Sequence, residues 1–139
     1  MIEFHYETDF RISGEKYFAD WISRVMKSEG SMAIQLDYIF CNDDFLLDIN
    51  TKYLGHDTYT DIISFDYSEG KQLAGDIFIS VDRVEDNAKR FATGFDQELL
   101  RVMAHGILHL MGYNDKTLEE VILMRSKEEE KIKMFHVEQ

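Results

Sequence analysis

Residues 60–81, TDIISFDYSEGKQLAGDIFISV, decide the fold. TDIISFDY (60–67) and GDIFISV (75–81) are rich in Ile, Phe and Val, the composition of half-buried strands, and SEGKQLAG (68–75) between them is long enough for a hairpin loop. A hairpin of this kind needs further strands and a covering layer to be stable, so the rest of the chain has to supply both. Upstream, Ile34, Leu36, Tyr38 and Phe40 alternate with other residues between Ala33 and Cys41, and Ile2, Phe4 and Tyr6 alternate with Glu3, His5 and Glu7, giving two more strands. A helix capped by Ser13 and ending at Gly30 separates these two, with Phe18, Trp21, Ile22, Val25 and Met26 at helical spacing. A second helix, capped by Asn42 or Asp43, runs to about Leu54 before Gly55.

Downstream of the hairpin, Asp82 opens a helix that runs to about Thr93 and stops at Gly94. Asp96 caps the next one, in which Leu99, Leu100, Val102, Met103, Ile107, Leu108 and Met111 are apolar almost all round, the mark of a central buried helix. After Gly112, Thr117 and Glu120 form a T-x-x-E capping box before a last amphipathic helix, whose SKEEEKIK run (126–133) is expected to be a solvated face. The resulting class is α+β, a small mixed sheet of about four strands covered by helices, in a single domain over residues 1–139.

Composition narrows the function. Hydrophobic residues make up 45% of the 139 positions and are spread along the chain, which argues against disorder, and no apolar run approaches the roughly 20 residues of a membrane span. MIEFHYETDF lacks the pattern of a secretory signal and Cys41 has no partner for a disulfide, so a cytoplasmic protein is expected, with Cys41 buried and inert. A net charge of −12 is unsuited to indiscriminate coating of nucleic acid, which depends on cations displacing phosphate counterions. Any RNA contact has to be local, and Arg83, Lys89, Arg90 and Arg101 are the basic candidates, each also readable as part of a solvated helix face.

The chemistry concentrates in HGILHLMGYND (105–115). On a helix, residues four apart lie about 6 Å apart along one face, so His105 and His109 can share an ion. Gly112 can release the chain and let Asp115 return as a third ligand, and three protein ligands leave the open position of a catalytic zinc site. The pair alone could be an accident of composition; a buried helix with a carboxylate just past its glycine exit favours the metal. Imidazole and carboxylate suit zinc and would also take manganese, nickel or iron. In the H-E-x-x-H peptidases the second residue is the general base, and Gly106 cannot serve as one.

HGILHLMGYND resembles the H-G-x-L-H-L-x-G-Y-D-H signature of the YbeY family, bacterial single-strand-specific endoribonucleases and ribosomal-RNA maturation factors. TDIISF resembles that family's T-D-V-L-S-F and GDIFIS its G-D-I-x-I-S, in matching order, and the likeness covers about residues 48 to 120. The resemblance implies a zinc-dependent endoribonuclease acting on unpaired RNA in small-subunit ribosomal RNA maturation and ribosome quality control, with ribosomal proteins or assembly GTPases as further partners and no membrane. It implies metal ligands at His105, His109 and Asp115, the last in place of the family's third histidine. It also marks Leu54 as standing where family members often carry an arginine, with His56 a candidate partial substitute that is otherwise a solvated loop residue.

Asp61 and Asp76 open the two strand motifs and are candidate proton acceptors, although aspartate at a strand edge more often fixes a turn. Ser64 is a third catalytic candidate, set against a role as a small packing residue. Two rival functions remain: a ribosome-assembly factor with a purely structural metal, favoured by Leu54, and a metallopeptidase, favoured by the histidine spacing and opposed by Gly106.

Overall fold

The structure, a computed structural model, describes residues 1–137. Four strands form one sheet in the order β1-β2-β4-β3: β1 (Ile2–Tyr6), β2 (Met32–Cys41), β3 (Ile62–Asp66) and β4 (Gln72–Ser80). β1, β2 and β4 run parallel, and β3 pairs antiparallel with β4 at one edge, so the sheet is mixed and the fold is α+β as expected. Five helices complete the chain: α1 (Glu15–Ser28), α2 (Asp43–Leu54), α3 (Val81–Arg90), α4 (Phe95–Leu110) and α5 (Leu118–Val137).

The alternation in β2 and β4 divides the core between two faces. Leu36, Tyr38 and Phe40 of β2 and Leu73, Ile77 and Ile79 of β4 point to one side, where Trp21, Ile22, Val25 and Met26 of α1 and Leu99, Leu100, Met103 and Ile107 of α4 bury them. Cys41 and Ile63 point to the other, under Leu46 and Ile49 of α2. The polar tips that enter the main core are satisfied: the Tyr38 hydroxyl donates to the Met103 carbonyl at 2.9 Å and the Trp21 indole N–H to the Lys131 carbonyl at 2.8 Å. α4 is therefore the central helix that its all-round apolar pattern predicts.

Several expected boundaries move. The N-cap of α1 is Gly14, with no side-chain cap from Ser13. α3 is capped by Ser80, whose hydroxyl accepts from the Arg83 N–H, so Asp82 lies in its first turn, and α4 is capped by Gly94, with Asp96 likewise inside. In both first turns the aspartate still meets the helix dipole, which is why these positions read as caps. α3 stops at Arg90 because Ala92 takes a left-handed φ of 54°. β4 begins at Gln72, since Met32 to Leu36 of β2 offer parallel partners to Gln72–Gly75 and draw half of the expected loop into the sheet. The expected Asn42 cap, the Gly55 helix stop and the Thr117–Glu120 capping box are all present.

α5 departs most. Its SKEEEKIK run is solvated on one side only: Ser126, Glu129, Glu130 and Lys133 are exposed, but Glu128 and Lys131 are each 1% exposed, alongside buried Met124 and Ile132, while Leu118 and Ile122 are 76% and 61% exposed. The inward positions of this helix are charged because they meet charged partners on α1 and α4. Lys131 donates to Glu29 at 2.7 Å and Glu128 faces His105.

Candidate metal centre

Gly106 explains how α4 comes to lie against the sheet. A Cβ at this position would fall 2.9 Å from both Ile62 Cδ1 and Ile77 Cγ2, so the helix packs there with backbone against strand side chains. A glutamate here would have to displace both isoleucines, so the general-base position of the H-E-x-x-H peptidases is crowded as well as chemically empty. With that face against the sheet, His105 and His109 turn toward the edge formed by β3.

At the C-terminal end of α4 the chain reverses through Gly112 (φ 101°), and Asp115 returns to the histidines. His105 Nε2 and His109 Nε2 are 2.9 Å apart, and Asp115 Oδ2 lies 3.3 Å from the first and 3.2 Å from the second. Donors about 2.0 to 2.1 Å from a shared tetrahedral ion are separated by roughly 3.3 Å, so this triangle has the size such an ion requires.

The tautomers make the case sharper. His109 Nδ1 lies 2.8 Å from the Tyr113 carbonyl, an acceptor only, so that nitrogen carries the proton. His105 Nδ1 lies 2.6 Å from Glu128 Oε2, and a carboxylate imposes the same arrangement. A ring with its proton on Nδ1 presents a lone pair at Nε2, the form in which imidazole binds a metal, and the two Nε2 atoms face one another and a carboxylate oxygen. Three potential ligand atoms thus converge on one point, an arrangement that a bound cation would stabilise. His105, His109 and Asp115 form a group that can hold a metal ion.

Behind His105 stands a chain of buried charges. Arg101 donates to Glu98 at 2.6 and 3.0 Å and to Glu128 at 3.3 Å, and approaches Asp61 at 3.6 Å. Burial would lower the guanidinium's pKa, but the Glu98 hydrogen bonds and the Glu128 and Asp61 charges raise it, so Arg101 stays a cation. Behind His109 a second cluster holds Tyr113. Its hydroxyl donates to Glu29 at 2.7 Å, and Glu29 also accepts from Lys131 and Lys127.

The triad lines a cavity of about 650 Å³ together with Leu54, His56, Asp61, Ser64 and Asp66. Asp61 accepts from Asn87 Nδ2 at 3.3 Å and keeps its place at the cavity wall. Ser64 pairs with Ile77, which puts it on the α4 side of the sheet. Asp76 is one residue out of phase, in register with Phe65 and Asp37. Its side chain lies on the opposite face, near the Tyr67 hydroxyl at 3.4 Å.

The basic patch expected from sequence does not assemble. Arg83 is held by Asp43 and Asp86, Lys89 by Glu85 and Arg101 by Glu98 and Glu128, and among the described residues no lysine or arginine lines the cavity. Proximity in sequence places these cations on α3 and α4, where carboxylates at helical spacing partner Arg83, Lys89 and Arg101, Asp43 of α2 and Glu128 of α5 add to them, and Arg90 is exposed. Sequence reasoning misses Glu128, which lies against His105 Nδ1, and Glu29, which accepts from the Tyr113 hydroxyl. The available signal was that Met124, Glu128, Ile132 and Phe135 fall on one helical face, with a glutamate inside an apolar stripe.

Comparison with known proteins agrees with the motifs. A family model described as Endoribonuclease YbeY matches residues 3–136, well beyond the 48–120 covered by the three motifs. The chain is 58% identical over 139 residues to a Flavobacterium johnsoniae protein named Endoribonuclease YbeY, covering 100% of both chains. A protein of the same name from Flavobacterium psychrophilum is 53% identical, over 100% of this chain and 99% of the relative. Among solved structures, the solution structure of a protein from Thermotoga maritima matches with a TM-score of 0.70 at 27% identity, covering 99% of this chain and 91% of that one.

Proposed function

Because the chain belongs to the YbeY family of endoribonucleases, we propose that it is a zinc-dependent, single-strand-specific endoribonuclease that acts in small-subunit ribosomal RNA maturation and ribosome quality control. The observation that carries this reading is the convergence of the His105 and His109 Nε2 lone pairs and one Asp115 oxygen, with both tautomers set from behind. Zinc is favoured by this donor set, and another divalent transition metal is the alternative. A cation bound there would polarise a phosphoryl oxygen and lower the pKa of a nearby water to about 7.

The chain's own residues do the rest. Asp61, at the wall of the same cavity, is the carboxylate best placed to take a proton from an attacking water, and the Arg101 and Asn87 contacts fix its orientation. Ser64 can hydrogen-bond a phosphate or ribose oxygen from the α4 side of the sheet. An open cavity of this size admits an unpaired strand, whose bases and backbone are both accessible, while the charge of −12 opposes a duplex. No helix of the described residues is long and apolar enough to cross a membrane. We place the protein in the cytoplasm as one hydrolase domain over residues 1–139, with ribosomal RNA as substrate and ribosomal proteins or assembly GTPases as further partners.

The test is cleavage of single-stranded and duplex RNA by purified protein beside His109→Ala and Asp115→Ala, with metal content measured in each. Cleavage confined to the single strand, reduced at least 100-fold in both variants together with bound metal, is expected. Equal cleavage by all three proteins would remove the enzymatic reading.

A further inference from the structure

α5 reaches the metal centre without contributing a ligand. Glu128 is buried, its Oε2 lies 2.6 Å from His105 Nδ1, and its Oε1 accepts from Arg101 at 3.3 Å and lies 3.5 Å from Arg125 Nη1. Arg101 is held in turn by both oxygens of Glu98, another buried carboxylate. A buried carboxylate is costly unless fully partnered, and here every partner of Glu128 is a donor aimed at it.

From this we infer that Glu128 is a positioning residue for the metal centre: reaching across from α5, it fixes the tautomer and ring orientation of His105. The inference rests on the metal reading of the triad. Two features give it force. An imidazole whose Nδ1–H is held by a carboxylate is a more basic ligand at Nε2 than one held by water. The ring is also prevented from rotating about its Cβ–Cγ bond, because rotation would leave Glu128 facing a carbon. Glu128 lies 13 residues beyond Asp115 on a separate helix, so this contact is a tertiary one, whereas the His–x–x–x–His pair forms with α4 alone.

The test measures zinc affinity of the metal-depleted protein by competition with a chromogenic chelator, for wild type, Glu128→Gln, Glu128→Ala and the control Met124→Ala. Met124 is buried on the same helix, so its truncation loosens α5 packing without removing a partner of His105. Glu128→Ala is expected to weaken zinc binding 10- to 100-fold. Glu128→Gln, which keeps the shape but lacks the charge, should fall between it and wild type. Met124→Ala should lower the unfolding midpoint and leave zinc affinity within about twofold of wild type, an order of magnitude less than the loss expected for Glu128→Ala.

Nitrogen-correlated NMR of the zinc-loaded wild type should show a slowly exchanging, downfield Hδ1 proton on His105 that disappears in Glu128→Ala. If Glu128→Ala does not fold, Glu128→Gln carries the test by affinity and by the same proton signal. Zinc affinity equal to wild type in both Glu128 variants, or lost equally in Met124→Ala, would overturn the positioning role. Absence of zinc binding by wild type would overturn the metal reading and this inference with it.

Discussion

Single residues explain both what this centre can do and what it lacks. His105, His109 and Asp115 were legible because their spacing is local: four residues on a helix and six across a glycine exit. Glu128 and Arg101 were not, because a charge in a lysine- and glutamate-rich stretch looks solvated until its distant partner is known. Leu54 lines the cavity at the position that the family likeness associates with arginine, and no lysine or arginine among the described residues lines it. Leu54→Arg should therefore tighten binding of a single-stranded oligonucleotide about 3- to 10-fold at low salt. Its log affinity should fall more steeply with log salt, by roughly one additional phosphate contact. Fluorescence anisotropy over a salt series measures both, and an unchanged slope would mean that the phosphates pass elsewhere.

At the scale of elements, α4 and α5 illustrate opposite degrees of legibility. The near-continuous apolar surface of α4 identified it as the central helix from sequence. α5 resists reading because two of its buried positions, Glu128 and Lys131, are charged and part of its outward face is apolar, which blurs the pattern of an ordinary surface helix. Its attachment depends on Glu29 at the end of α1. Burial raises the pKa of this carboxyl, but hydrogen bonds from Lys131, Tyr113 and Lys127 outweigh that and bring it from 4.5 to about 2.

A carboxylate with a depressed pKa stabilises the fold above its unfolded value and loses that contribution as the pH drops toward the folded value. The attachment of α5 should weaken between about pH 4.5 and pH 2, by at most ~3 kcal/mol. Urea midpoints recorded from pH 6 to pH 3 should fall more steeply for wild type than for Glu29→Gln, which should start less stable. Parallel curves would show that Glu29 does not hold the helix.

For the whole molecule, the sheet with its antiparallel edge at β3 places the ends of α2, β3 and α4 around one cavity, and α5 locks the metal ligands from behind. The α+β class and four strands followed from alternation in the sequence. The strand order did not, because periodicity reports which face a residue takes and says nothing of its neighbours. The net charge of −12 surrounds a cavity that carries Asp61, Asp66 and Asp115, so a metal held by the triad would supply positive charge that the cavity's own side chains do not. The centre itself is most directly tested by zinc-edge X-ray absorption on protein loaded with one equivalent of metal, compared with His105→Ala. One zinc per chain, bound through two imidazole nitrogens and a carboxylate oxygen at about 2.0 to 2.2 Å and released by the variant, is the expected result. A shell without imidazole, or identical spectra from the two proteins, would contradict a centre built from these three residues.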